Sequence, residues 1–377
     1  MRILHIFSNP HLTNGASIFE YRLSEFLKED KIYFDYLVTE TATLEEQERY
    51  QKNGSYLYQI PIDHKHGLLI RELKANYEYY KFFKTHPYKI VYADTENSLR
   101  AIHLLMARLA GIKVRVVHSH NTGLQTVSKK SKKIARLLRK IFLFSATDYF
   151  ACSDAAAEWL FPKRIYQSKK YTIANNGINI EKFRYNQADR IRIREKYHIP
   201  EDTIVVGSVG RFMEQKNHKF MLEVFKTFHE EKKNSVLFLV GEGKLEDAVR
   251  TQVKKLQLEH SVIFCGTTPY VEQYLSAMDI YIMPSIFEGL GIAAIEAQAN
   301  GLPCLLSDQV PDVVKMSENV VFESLHNTPK QWSDQLEKFI NKRTDGTENI
   351  SSIIDKGYSI QDTVRLMKDF YLAKERK

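Results

Sequence analysis

Strand-length runs of apolar and β-branched residues alternate with helix-period segments along almost the whole chain, and nothing else in the sequence restricts its fold so tightly. Runs of this kind are buried on both faces between helices, which is the arrangement of α/β proteins with parallel sheets. In the N-terminal half the strands are expected near Ile3 to Phe7, Tyr33 to Val38, Ile90 to Ala93, Val114 to His118 and Tyr149 to Ala151. The turn-rich Asn175-Asn176-Gly177-Ile178-Asn179 punctuates the pattern. It then restarts with Ile204 to Val209, Val236 to Val240, Val262 to Phe264 and Ile280 to Met283, and helices are expected from about Asn217, about Lys244 and near Gly291. Two consecutive doubly wound units follow, 1–177 and 178–357, with a terminal helix in 358–377 that can cross back to the first unit. A length of 377 residues, 44% of them apolar, is ample for two cores.

Several function classes drop out. No run of about 18 or more uncharged apolar residues is present, as a spanning helix requires. Met1 to Phe7 runs directly into Ser8-Asn9-Pro10 without the apolar core and cleavage site of a secretory signal, so the expectation is a cytoplasmic enzyme. Cys152, Cys265 and Cys304 lie too far apart in sequence for a CxxC pair, and read as small buried hydrophobes. The net charge of +8 is uneven: residues 1–190 hold 30 Lys+Arg against 19 Asp+Glu, and the remainder 24 against 27. The N-terminal half therefore suits an anionic partner.

In doubly wound folds ligands sit beyond the carboxyl ends of the strands, so the loops there carry the chemistry. The strongest is Ser285-Ile286-Phe287-Glu288-Gly289-Leu290-Gly291-Ile292, which follows a strand and opens a helix containing Glu296. Its glycines allow close backbone approach, and the helix N-terminus presents free N–H groups to an anion such as phosphate. Glu296 lies a little over two turns beyond Glu288, where it can accept hydrogen bonds from vicinal hydroxyls. A second loop, Val209-Gly210-Arg211 to Lys216, adds a planar guanidinium and a point charge suited to a diphosphate. Gly241 and Gly243 lack the third glycine of a dinucleotide fingerprint and read as a strand-to-helix turn, while Gly266 could line a base pocket through its backbone.

In this order the motifs resemble family 4, the GT-B-type retaining glycosyltransferases, especially their bacterial capsular and exopolysaccharide branch. The resemblance covers nearly the whole chain and adds Ala299-Asn300-Gly301-Leu302-Pro303, Asn176-Gly177-Ile178 and Phe150-Ala151-Cys152-Ser153 to the loops above. It implies two Rossmann-like domains with parallel sheets facing each other across a cleft, the first binding acceptor and the second a nucleotide sugar. It further implies that Arg211 and Lys216 hold the donor diphosphate, Glu288 the sugar and Glu296 the ribose, with backbone contacts from Gly289 to Ile292. His120, at a strand end beside His118, matches the position of the family's histidine near the reacting carbon; which of the two faces the site stays open. The first loop departs from the family pattern, since Thr13-Asn14-Gly15 offers one glycine where two are usual, and the resemblance leaves Gly15 to keep the backbone contact with the donor phosphates. Asp94 and Glu96 stand where many relatives carry histidine and could bind acceptor hydroxyls.

Seven of the twelve residues from Lys129 to Lys140 are basic, namely Lys129, Lys130, Lys132, Lys133, Arg136, Arg139 and Lys140. Ile134, Leu137, Leu138, Ile141 and Phe142 form an apolar stripe beside them, so this is an amphipathic helix that can face either the core or an anionic lipid surface. No nucleic-acid motif accompanies the charge. The expected function is metal-independent, retaining transfer of a hexosyl or N-acetylhexosaminyl group from a UDP-sugar to a lipid-linked oligosaccharide at the inner face of the plasma membrane, without a cofactor. The alternatives are a nucleotide-sugar epimerase or disaccharide synthase of the same fold, and a non-catalytic sugar-nucleotide-binding subunit.

Overall fold

Every strand-to-strand pairing in the two sheets of the computed structural model is parallel. The structure describes the chain apart from residues 8–9, 12–14, 61, 63–67, 96–98, 121–128 and 377, and gives the backbone alone for 15–16, 68–70 and 129–136. Two units are present: Met1–Gly177 together with Gln361–Lys377, and Ile178–Ile360.

The first unit carries β1 (Arg2–Ile6), β2 (Tyr33–Val38), β3 (Leu57–Gln59), β4 (Ile90–Thr95), β5 (Val114–Ser119), β6 (Asp148–Ala151) and β7 (Thr172–Ile173), in the spatial order β3-β2-β1-β4-β5-β6-β7. Both faces are covered, so β4 is buried at every residue, and Ile90 to Ala93 read as a continuous rather than an alternating apolar run. The helix Ile360–Glu375 belongs to this unit. Its Met367 and Tyr371 share a core with Ile3, Phe34 and Tyr92, and the Thr363 hydroxyl donates to the Asn175 carbonyl at 2.9 Å.

The second unit carries β8 (Ile204–Val209), β9 (Ser235–Val240), β10 (Val262–Gly266), β11 (Ile280–Met283), β12 (Cys304–Ser307) and β13 (Val320–Glu323), in the order β10-β9-β8-β11-β12-β13. The order reverses between β8 and β11, which makes the loops after these two strands the expected crevice of the fold. One core lies on each face of the sheet. Asp279, just before β11, accepts from Arg190 at 2.9 Å, from Arg194 at 2.6 Å and from the Val205 amide at 2.8 Å, which ties the helix Gln187–Lys196 to the start of β8.

Candidate functional site

The loop after β8 and the loop after β11 meet at the switch point. Lys216 Nζ donates to Glu288 Oε1 at 2.7 Å, Gln215 Nε2 donates to Oε2 at 3.2 Å, and the Ile286 amide donates to the Gln215 carbonyl at 2.8 Å. Glu288 is buried, and two donors from the loop after β8 and one from the loop after β11 thus tie the two loops together. A side chain at Gly210 would put its Cβ 2.9 Å from Lys216 Cε, so glycine there lets the lysine lie across the turn. Arg211 is exposed and makes no ion pair with another described residue.

Gly291 caps the helix Ile292–Ala299 in the left-handed conformation, φ 86°, which glycine adopts without steric cost. The first N–H groups of a helix have no partner within it and carry the positive end of its dipole, so this turn is a ready anion seat. Glu296, one turn further in, is buried, and so is Leu290. Tyr281 of β11 lies beneath: burial first, then nearby charges that include Glu288 and Glu296, hold its phenol far above the ordinary range. Gly266 is exposed at the end of β10, and its carbonyl accepts from the Gly241 amide at 2.9 Å.

In the first unit the carboxyl ends of β4 and β5 carry a second constellation. The parallel register sets Asp94 beside His118 and His5 beside Tyr92, and His120 follows β5. His120 Nε2 lies 2.9 Å from Asp94 Oδ1 and its Nδ1 3.2 Å from Asn176 Oδ1. His5 Nδ1 lies 3.3 Å from Asp94 Oδ2, and the Tyr92 hydroxyl 2.7 Å from His118 Nδ1. Glu20, from the helix Gly15–Leu27, completes the group at 0% exposure, with neither carboxylate oxygen receiving a hydrogen bond. Burial and then the charge of Asp94 push the Glu20 carboxyl well above its usual range. Burial opposes ionisation of Asp94 too, but the hydrogen bonds with His120 and His5 prevail and hold it low. Burial holds both His5 and His118 below the ordinary histidine value.

The other expected residues are placed as follows. Gly15 is the first residue of its helix; Thr13, Asn14 and Glu96 lie outside the described residues. Lys129 opens the helix Lys129–Ser145, in which Phe142 is fully buried while Leu137 and Phe144 are 64% and 63% exposed beside exposed Lys140. Arg139 stacks over Trp159 at 4.7 Å. Cys152 and Cys304 are buried and Cys265 is half-buried; burial pushes the Cys152 and Cys265 thiols up to about 11 and 12, away from reactivity. No helix of the described residues is long and apolar enough to cross a membrane. Gln215, His5 and Glu20 belong to these sites without having been singled out, and Asn176 reads from the sequence only as part of the linker. Of these, Glu20 left a trace: with Ser17, Ser24 and Leu27 it falls on one buried helix face, where a carboxylate is out of place.

Comparison with known proteins agrees in both halves. The model of Glycosyltransferase Family 4 matches residues 13–182, and that of Glycosyl transferases group 1 matches residues 189–357. EpsF of Bacillus subtilis (strain 168), itself named as a glycosyltransferase, is 28% identical over 98% of this chain and 96% of its own. The UDP-Gal:alpha-D-GlcNAc-diphosphoundecaprenol alpha-1,3-galactosyltransferase of Escherichia coli is 24% identical over 99% of this chain and 97% of its own. Among solved structures, Anabaena Alr3699/HepE in complex with UDP and glucose superimposes with a TM-score of 0.79 at 14% identity, over 98% of this chain and 99% of that one.

Proposed function

From a chain that belongs to the family 4 GT-B glycosyltransferases, in their bacterial polysaccharide branch, we propose a specific reaction: retaining transfer of a hexosyl or N-acetylhexosaminyl group from a UDP-sugar to a hydroxyl of a lipid-linked saccharide. The observation that carries the donor half is the Lys216–Glu288 pair at the switch point, beside the glycine-capped helix. An ammonium has three donors, so Lys216 can keep Glu288 and still reach a phosphate, while exposed Arg211 supplies the bidentate fork. With the helix N-terminus these groups neutralise a leaving diphosphate without a metal at this site. Glu288 then meets the sugar and Glu296 the ribose.

The undecaprenol-linked substrate in the name of the Escherichia coli relative supports a lipid-linked acceptor. In the first unit Asp94 and His118 are buried, with the Asp94 oxygens turned to His120 and His5 and His118 Nδ1 to the Tyr92 hydroxyl, so they support His120 rather than meet acceptor hydroxyls themselves. His120 has committed Nε2 to Asp94, so its contact with a sugar hydroxyl comes through Nδ1, in exchange for Asn176. Exposed Leu137 and Phe144 beside Lys140 suit an interfacial helix that holds the enzyme at an anionic membrane surface, where a lipid-linked acceptor resides.

The test is a binding titration with UDP. Each of Arg211→Ala and Lys216→Ala is expected to weaken binding about tenfold or more, the worth of one charge-assisted hydrogen bond. Unchanged affinity in both would overturn the phosphate assignment. Incubation with UDP-sugar and no acceptor should give slow hydrolysis, whereas an epimerised nucleotide sugar would replace transfer by the rival chemistry.

A further inference from the structure

We propose that Glu20, Asp94, His118 and His120 form a binding site for one divalent transition-metal ion, zinc by preference, in the first unit; the proposal does not depend on which sugar is transferred. One atom from each residue lies within 4.8 Å of all the others. Four of the six separations are 2.9 Å from His120 Nε2 to Asp94 Oδ1, 4.0 Å from His118 Nδ1 to the same oxygen, and 3.7 and 3.8 Å from these two nitrogens to Glu20 Oε1. A zinc ion with N and O ligands at about 2.0–2.2 Å spaces them roughly 3.4 Å apart at tetrahedral corners. Shifts of about half an ångström therefore turn the cluster into a coordination sphere.

Charge and hydrogen bonding point the same way. Both Glu20 oxygens are fully buried without a hydrogen-bond donor, an arrangement costly for a carboxylate unless a cation compensates it. Two carboxylates and a divalent ion sum to zero. Metal-bound histidines normally turn their other nitrogen to a hydrogen-bond acceptor, and bound carboxylates are themselves hydrogen-bonded. His120 has Asn176 Oδ1 at its Nδ1, and Asp94 Oδ2 and Glu20 Oε2 face His5 Nδ1 at 3.3 and 3.6 Å. Among the described residues the ion would displace the Tyr92 hydroxyl from His118 Nδ1 and replace the hydrogen bond between His120 Nε2 and Asp94 Oδ1. Two imidazoles and two carboxylates, all buried, favour zinc over magnesium or calcium, and a structural ion that fixes His120 over one that activates water.

The experiment uses the full chain. Zinc content after dialysis and the visible absorption of the cobalt-substituted protein are measured with no sugar present. About one equivalent per chain and a tetrahedral cobalt spectrum are expected. Glu20→Gln, nearly isosteric, and His118→Ala should each weaken zinc binding about tenfold or more, whereas Tyr92→Phe should keep it. Asp334→Asn, in the exposed Glu231, Asp334 and Glu337 group, should leave it unchanged. Substoichiometric zinc with no cobalt band, or metal lost in Asp334→Asn and kept in Glu20→Gln, would overturn the proposal and leave a proton bridging Glu20 and Asp94.

Discussion

At the scale of single residues, chemistry is concentrated where side chains are denied water. His218 opens the helix His218–Glu231 stacked on Phe212 at 4.5 Å, and burial, with Lys216 nearby, pushes its imidazole down to about 4 from an ordinary 6.5. Its folded pKa lies below its unfolded one, so the neutral form is favoured by folding. The associated stability is complete above about pH 6.5 and is lost as the pH falls toward 4. Denaturant titrations at pH 7.5 and 4.5 should therefore show the natural chain losing roughly 2–3 kcal/mol more than His218→Gln. Gln215 is the second case. Its side chain braces Glu288 while its carbonyl receives Ile286, so Gln215→Ala should lower kcat for transfer several-fold and change UDP affinity far less. Arg211, Lys216, Glu288 and Glu296 could be singled out in the sequence because cations and carboxylates after strand ends break an apolar context. Gln215 could not, since a neutral amide in a polar loop has no contrast with its neighbours. His5 and Glu20 did stand in apolar surroundings, but their meeting depends on a register that only the paired strands supply.

At the scale of elements, the alternating pattern was legible for the strands rich in apolar residues, most of them five residues or longer. Tyr33–Val38, Ile204–Val209 and Ile280–Met283 fall where the pattern puts them. The strands it did not disclose are β3, β7, β12 and β13, of two to four residues. Segments of two or three residues such as β3 and β7 are too short to show a period, and β3, β7 and β13 lie at sheet edges, where one neighbour suffices to define them; β12, as long as β11, has neither reason. The turn after β9 shows how closely the elements are set. A Cβ on Gly241, φ 137°, would lie 2.2 Å from the Gly210 carbonyl oxygen, backbone against backbone. Gly241→Ala should therefore cost about 2 kcal/mol or more, visible as a lower denaturation midpoint, and should disturb the Arg211 turn with it. Asp279→Asn should cost about 3–5 kcal/mol, because it leaves Arg190 and the buried Arg194 without their shared counter-charge.

At the scale of the molecule, charge is divided as sharply as structure: +11 over residues 1–190 against −3 over the rest, from the counts of 30 and 19, and 24 and 27. If the basic helix works at a lipid surface, flotation with anionic vesicles should weaken steeply with salt. Changing Leu137 and Phe144 together to Ser should remove the part that salt does not reach. The division of the chain itself was partly legible, since Asn176-Gly177 marks an interruption of the pattern. The last helix does cross back to the first unit as expected, but the core it completes was not legible, because an amphipathic period says which face is buried and nothing about the partner. That destination has a consequence for biosynthesis. Met367 and Tyr371 complete a core begun by Ile3, so the first unit is closed by residues made only after the whole of the second. Until that helix is made, the first unit keeps a socket open beside Phe34 and Tyr92, and chaperones or proteases have the whole of the second unit's synthesis in which to find it.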